Sequence, residues 1–443
     1  MKRRYLLAGL LVLLLVVALT AVACGEAEVT NPTSGPENTV TTAAPSTETT
    51  AAPSTDTTAA TTETTAGPAT GEPMKIGHIV DLTGPEAMVG DVMVKSLQFA
   101  FDSMGNQIAG RPVEVIIGDA QDQPAVAVDV ARKMVEQDKV VAIFGPTQIG
   151  EKMAVANYLK SVGIPMILYN PSPLVIFQDN PWVVGSGGSV PQCPTAMADY
   201  TYYTLKYSKI DTIGPDDTAG RAFLDPFTDY FTKAGGTVVQ QQWHPVPCPD
   251  FSPYLTTLKP ADALVGWTAG SDAITLFTQW HQLGIDKKMP IVGSFYGGFT
   301  ESFIPMSMAP EDAAAMLGTL SSTFYGPEYA VKNFPEFWEG MTAVLGFPPG
   351  DGAASGPYQA ALLLKAGIEA TAGDTTPVKL RDAIFAATID GPEGPESFAP
   401  GQQAANKNIS IVSIEAVPNM ENTYGYVTRF TYESVPPTGF AGK

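Results

Sequence analysis

The feature that most constrains this chain is a regular alternation of short β-branched runs with longer amphipathic stretches, which begins at Met74 and starts afresh near residue 195. Residues 75–80 read as a strand, 88–104 as a helix and 113–118 as a strand. Residues 124–137 carry apolar side chains at helical spacing, with Pro124 suited to a first turn. Strands at 140–144 and 165–169 flank a helix at 151–162. The second round places helices at 195–207, 222–234, 253–258 and 273–283, with strands at 212–214, 237–241, 263–267 and 290–293. Such alternation builds right-handed βαβ units around parallel sheets, so an α/β protein with two successive doubly wound sheets is predicted. Helices at 336–345, 357–372 and 378–387 follow both sheets, before closing strands at 409–414 and 426–430. The chain is therefore expected to return to its first lobe. The expected division is 74–190 with about 325–405 in lobe 1, and 191–324 with about 406–443 in lobe 2.

The segment before Met74 has a different character. Lys2, Arg3 and Arg4 precede an apolar run from Leu6 to Leu19, and small residues lead to Cys24, which is the layout of a secretory signal peptide. Ala21-Val22-Ala23-Cys24 resembles the bacterial lipobox, whose cysteine is acylated and becomes the first residue after cleavage. Residues 1–24 are thus expected to be a lipoprotein signal peptide, and Cys24 the lipidated residue holding the protein to a membrane. Residues 25–73 contain no aromatic residue, Lys or Arg, and include a tandem Thr/Ala/Pro/Ser octad. A segment of this composition cannot bury enough apolar area to offset its ordering entropy, so a disordered tether is expected.

The charge of −20 is spread along the chain without a basic cluster, which argues against nucleic-acid binding. Cys193 and Cys248 both sit among prolines; in an exported protein they form a candidate disulfide, with two buried free thiols as the alternative. Catalytic chemistry is sparse. His78, His244 and His281 form no metal-ligand pair, no Gly-x-Ser-x-Gly elbow is present, and neither a cofactor nor a metal is expected. Gly145 to Lys152 nearly spells a phosphate-binding loop, but Glu151 stands where the phosphate lysine would be and would repel phosphate. That stretch still marks a helix start beyond a strand's C-terminal end, where open α/β sheets bind ligands.

Several stretches in their order carry a family resemblance: Ile76-Gly77 with Asp81-Leu82-Thr83-Gly84-Pro85, then Asp119 with Asp122, Phe144-Gly145-Pro146, Gly163-Ile164-Pro165, Asp250-Phe251-Ser252, Leu283-Gly284-Ile285 and Gly391-Pro392-Glu393-Gly394. Across residues 75–430 the chain resembles the type I periplasmic binding proteins, in particular the leucine/isoleucine/valine-binding group. The resemblance implies two Rossmann-like lobes joined by a three-stranded hinge, a small molecule trapped between them by closure, and delivery to the permease subunits of an ATP-driven ABC importer.

Carried onto this sequence residue by residue, the resemblance puts Ile149 where the relatives hold a ligand carboxylate with a hydroxyl, and Ser172 where they have a threonine. It puts Ala219 where they have an aromatic wall and Phe295-Tyr296 near their ammonium-pairing glutamate. Candidate ligand-binding residues are Met88, Thr147, Gln148, Ile149, Gly150, Tyr169, Asn170, Ser172, Thr218, Ala219, Trp267, Phe295 and Tyr296. An unpaired buried ammonium is costly, so an amino acid held in the family manner requires Asp217, Asp272 or Glu301 to reach in. The expected cargo is a small carboxylate or amide-like compound, aromatic ones included, ahead of a branched-chain amino acid. A surface sensor coupled to a signalling partner and an exported hydrolase are the alternative functions.

Overall fold

The computed structural model describes residues 71–440 apart from 85, 269, 294–302, 350–351 and 419–422. The signal peptide, Cys24, the tether up to residue 70, Phe295, Tyr296 and Glu301 lie outside the described residues.

The first round of the alternation becomes β1 (Met74–Val80), α1 (Ala87–Ser103), the hairpin of β2 (Gln107–Ile108) and β3 (Arg111–Asp119), α2 (Pro124–Lys133), β4 (Ala142–Phe144), α3 (Ile149–Val162), β5 (Met166–Leu168) and β6 (Val183–Gly185). These strands form one sheet in the order β2-β3-β1-β4-β5-β6, in which only the β2–β3 hairpin is antiparallel. β1 is buried almost throughout, as expected for a central parallel strand covered on both faces.

After α4 (Gln192–Asp199), the second round supplies β7 (Lys209–Pro215), α5 (Thr218–Lys233), β8 (Thr237–His244), β9 (Ala263–Gly266), α6 (Gly270–Gln282), β10 (Ile291–Gly293) and β11 (Leu320–Thr323). Strands β14 (Lys407–Ala416) and β15 (Tyr424–Val435) add to the edge of this sheet antiparallel, giving the order β15-β14-β11-β10-β9-β7-β8. Between β11 and β14 run α7 (Pro335–Leu345), α8 (Gly352–Ala370), α9 (Pro377–Ala386) and a small hairpin of β12 (Ile389–Gly391) and β13 (Gly394–Glu396). Helix α8 packs against α1, so after completing most of the second sheet the chain goes back to the first.

The chain passes between the sheets after β6, after β11 and before β14, and these passages converge on a buried charge. Lys407 Nζ lies 2.7 Å from Glu393 and 3.1 Å from Glu396, and all three side chains are sealed from solvent. Ser355 donates to Glu393, while Ser186 and Gln359 donate to Glu396. The backbone of Gly185 bridges to Ala404 at the same place.

One expectation is corrected, and two strands add to those expected. The Cys193–Cys248 bridge is not formed: both thiols are free and buried. Cys193 lies among Ala196, Phe227 and Phe231, whereas Cys248 belongs to a different apolar cluster with Phe251 and Phe277. The short strands β6 and β11 were not among the strands expected from the periodicity. β11 reads Leu-Ser-Ser-Thr and has no apolar alternation, yet it is enclosed between β10 and β14, with Ser322 Oγ donating to the carbonyl of Cys193.

Replacing Lys407 by Met strands two buried carboxylates and should destabilise the protein by about 3–5 kcal/mol. The triple variant Lys407→Met, Glu393→Gln, Glu396→Gln should recover most of that loss. Denaturant unfolding of the three proteins measures both; equal stability of wild type and Lys407→Met would show that the triad carries no such constraint.

Candidate ligand-binding site

The C-terminal ends of the strands in both sheets face a common cleft. From the first sheet, the loop after β4 leads into α3, whose residue before the helix, Gln148, is extended, so that free amide groups open at Ile149 and Gly150. Gly145 makes the turn in the left-handed region, at φ 77°, where a Cβ would collide with the carbonyl of Ile79. Asn170 and Pro171 follow β5. From the second sheet come Ala219 and Phe223 on α5, and Trp267 after β9.

These residues form two adjoining compartments. The first is lined by Val89, Met93, Thr147, Ile149, Lys152, Asn170, Phe223, Trp267 and Ala353. Its apolar wall is a ring stack: Phe223 and Trp267 lie 4.6 Å apart between centroids and 7° from parallel. Polar atoms facing this compartment are few. Asn170 is 5 % exposed and its Oδ1 has no hydrogen-bond partner, and the same holds for the buried Nε1 of Trp267. Lys152 is the one basic side chain of the lining. Its ammonium is already taken by the carbonyls of Pro171, at 2.9 Å, and Asn170, at 3.5 Å, and burial lowers its pKa to about 7.

The second compartment is acidic: Glu86, Asp122, Glu151, Asp217 and Asp272 line it together with Gln148, Gly150, Thr268 and Ser271. Glu86, Gln148, Ala219 and Trp267 border both compartments, so the two are continuous. Asp81 lies beneath, accepting from the amide of Asp122 at 2.8 Å. Burial, reinforced by the neighbouring carboxylates, raises Glu86 to about 8; the same causes, with Asp81 as the nearest neighbour, raise Glu151 to about 8 and Asp122 to about 6. Asp272 is held by the amide of Cys248, and Asp217 caps α5 through the amide of Gly220. Among the described residues no three His, Cys, Asp or Glu side chains converge to hold a metal ion.

Of the expected residues, Thr147, Gln148, Ile149, Gly150, Asn170, Ala219 and Trp267 come together in this cleft. Tyr169 does not reach it: it is wholly buried below, with its hydroxyl 2.9 Å from His78 Nε2 and hydrogen-bonded to Thr147. Ser172 is also sealed, and its hydroxyl donates to the carbonyl of Asn170. Thr218 is exposed outside the lining, and Met88 faces a separate groove with Leu345 and Phe347. Sequence reasoning missed Glu86, Val89, Met93, Lys152 and Phe223. For Phe223 a signal existed: it stands one helical turn after Ala219 and rebuilds the aromatic wall that Ala219 removes.

The family described as Periplasmic binding protein matches residues 73–418. The chain is 27 % identical over 357 residues to Leu/Ile/Val-binding protein homolog 6 of Brucella suis, covering 78 % of this chain and 88 % of that protein. Among solved structures it is similar to an ABC transporter substrate-binding protein from Sphaerobacter thermophilus, with 28 % identity, TM-score 0.73, and coverage of 83 % of this chain and 99 % of the other. A solute binding protein of an ABC transporter from Rhodopseudomonas palustris, in complex with 3,4-dihydroxybenzoic acid, shares the fold at 24 % identity and TM-score 0.75, covering 82 % of this chain and 98 % of the other.

The crowded carboxyls make stability depend on pH. A group whose folded pKa is raised contributes stability below its unfolded pKa and loses it as pH rises through the folded value. For Glu86 and Glu151 that window runs from the ordinary 4.5 to about 8. The melting temperature of the unliganded protein should therefore fall across this interval, and Glu86→Gln should flatten the fall. A melting temperature that rises through the window would contradict this electrostatic picture.

Proposed function

Because the chain belongs to the periplasmic binding protein family, we propose that it is the extracytoplasmic solute receptor of an ATP-driven ABC importer. In this reading lipidated Cys24 anchors it to the outer face of the cytoplasmic membrane, and residues 25–73 tether it there. Lobe 1 comprises 74–190 and about 325–405, lobe 2 comprises 191–324 and about 406–443, and cargo is handed to the permease subunits after closure. One observation carries the receptor reading: the ring-walled compartment is built from both sheets, with Thr147, Ile149 and Asn170 on one side and Ala219, Phe223 and Trp267 on the other. A molecule touching both sides favours the closed arrangement, which is how a binding protein converts occupancy into shape.

The cargo is a small molecule with a flat or branched apolar body. Its body lies against the Phe223–Trp267 stack, and a ligand oxygen accepts from the amides at Ile149 and Gly150 and from Trp267 Nε1. Of the expected carboxylate and amide-like classes, the site's charge favours the neutral amide-like oxygen. Carboxylates surround the adjoining compartment, and the only lining ammonium, that of Lys152, is engaged by carbonyls.

Mass spectrometry of small molecules released from the purified protein, followed by adding each back to refolded protein, tests the reading. A true ligand raises the melting temperature, because it binds only the folded state. Trp267→Ala should weaken its binding about tenfold or more through loss of the ring contact. Turnover of the released molecule, or binding indifferent to Trp267, would count against a receptor with this site.

A further inference from the structure

We infer that the acidic compartment beside the ring stack is a cation subsite, and that the cargo carries, besides its apolar body and neutral oxygen, an organic ammonium that lies among Glu86, Asp122, Glu151 and Asp272. This inference rests on the receptor reading above and adds the charge of the ligand to it.

Three observations converge. The first is composition: five carboxylates border one compartment, and no basic side chain borders it. The charged groups facing it from the elements around are Asp81 and Asp119 at the ends of β1 and β3, Lys152 on α3, Asp217 at the start of α5, and His244, which ends β8 and whose pKa burial lowers. Lys152 cannot serve as the counter-charge, since carbonyls hold its ammonium on the far side. The second is Glu151: it is completely buried and borders the compartment, no donor meets either carboxylate oxygen at full hydrogen-bonding geometry, and the groups acting on it are the Asp81 carboxyl and the Gln148 amide, with no cation paired to it among the described residues. A buried carboxyl set against another carboxyl without a paired cation is a costly arrangement that an incoming cation relieves. The third is continuity: Glu86, Gln148 and Trp267 border both compartments, so one small molecule can place a ring on the stack and an ammonium among the carboxylates.

The cation is organic rather than metallic. No three acidic or sulfur and imidazole ligands converge among the described residues, so the carboxylates are spread more widely than a metal's coordination shell. An ammonium on a carbon frame suits that spacing. In the empty cleft the raised pKa values mean that Glu86 and Glu151 hold protons near neutrality. An arriving ammonium favours their ionised forms, and the displaced protons pass to the buffer.

The test uses benzylamine, phenethylamine and tyramine, each beside the alcohol and the carboxylic acid of the same frame, against the mature protein. Calorimetry in two buffers of different ionisation enthalpy reads both affinity and proton release. The amines should bind about tenfold or more tightly than their alcohols, release protons on binding, and bind more tightly as pH rises from about 5.5 to about 8.5. The isosteric double variant Glu86→Gln, Asp122→Asn should erase the advantage of amine over alcohol, and a wild-type circular dichroism spectrum of the variant separates a lost charge from a lost fold. Acids or alcohols that bind as well as the amines would overturn the cation subsite and leave the receptor reading standing. Amines that bind without proton release, or equally well to the double variant, would overturn it too, as would a series in which no amine binds.

Discussion

An ammonium removed from water must have anions within reach, and around Lys407 that requirement draws distant stretches of chain to one point. Glu393 lies in the turn of the β12–β13 hairpin and Glu396 ends β13, Ser355 and Gln359 lie on α8, Ser186 follows β6, and Lys407 itself begins β14. β6 belongs to one sheet and β14 to the other. The desolvation of three charges is offset only when every partner is present, so the triad accepts one arrangement of these segments and few others. The relative setting of strand ends on the two sides of the cleft starts from that fixed point.

The cleft applies the same electrostatics in reverse. At the crossing, anions and a cation are matched and buried together; in the cleft, carboxyls accumulate without a cation. A folded protein tolerates such crowding by keeping some of the groups protonated, which is what the raised values of Glu86, Glu151 and Asp122 express. The two sites therefore divide the labour. One carries completed electrostatics that hold the frame, and the other carries incomplete electrostatics that a ligand can finish.

Much of this was legible in the sequence, for identifiable reasons. The strands of the first sheet and the long helices carried their own periodicity, and α1, α3 and α8 begin within a few residues of where the apolar spacing put them. β11 was illegible because its burial comes from its neighbours and not from its Leu-Ser-Ser-Thr composition. Thr147, Ile149, Asn170 and Trp267 were legible as site residues because each follows a strand's C-terminal end. Tyr169 and Ser172 occupy equivalent positions in the chain but turn inward, a matter of side-chain direction that spacing does not encode. The acidic cluster was missed for a different reason. Asp81, Asp122 and Glu151 were each noticed singly, as loop or helix-start residues, and only the packing of three loops shows that they share one space.

The free thiols of Cys193 and Cys248 bear on how such a chain can be made. Each is sealed in its own apolar cluster, with burial pushing both thiols up and away from the reactive thiolate form. The folded body therefore gains no cross-link from an oxidising compartment. Its native state is reached by packing, hydrogen bonding and ion pairing, so oxidant supply and disulfide isomerisation drop out of its maturation, and reducing conditions leave its architecture intact.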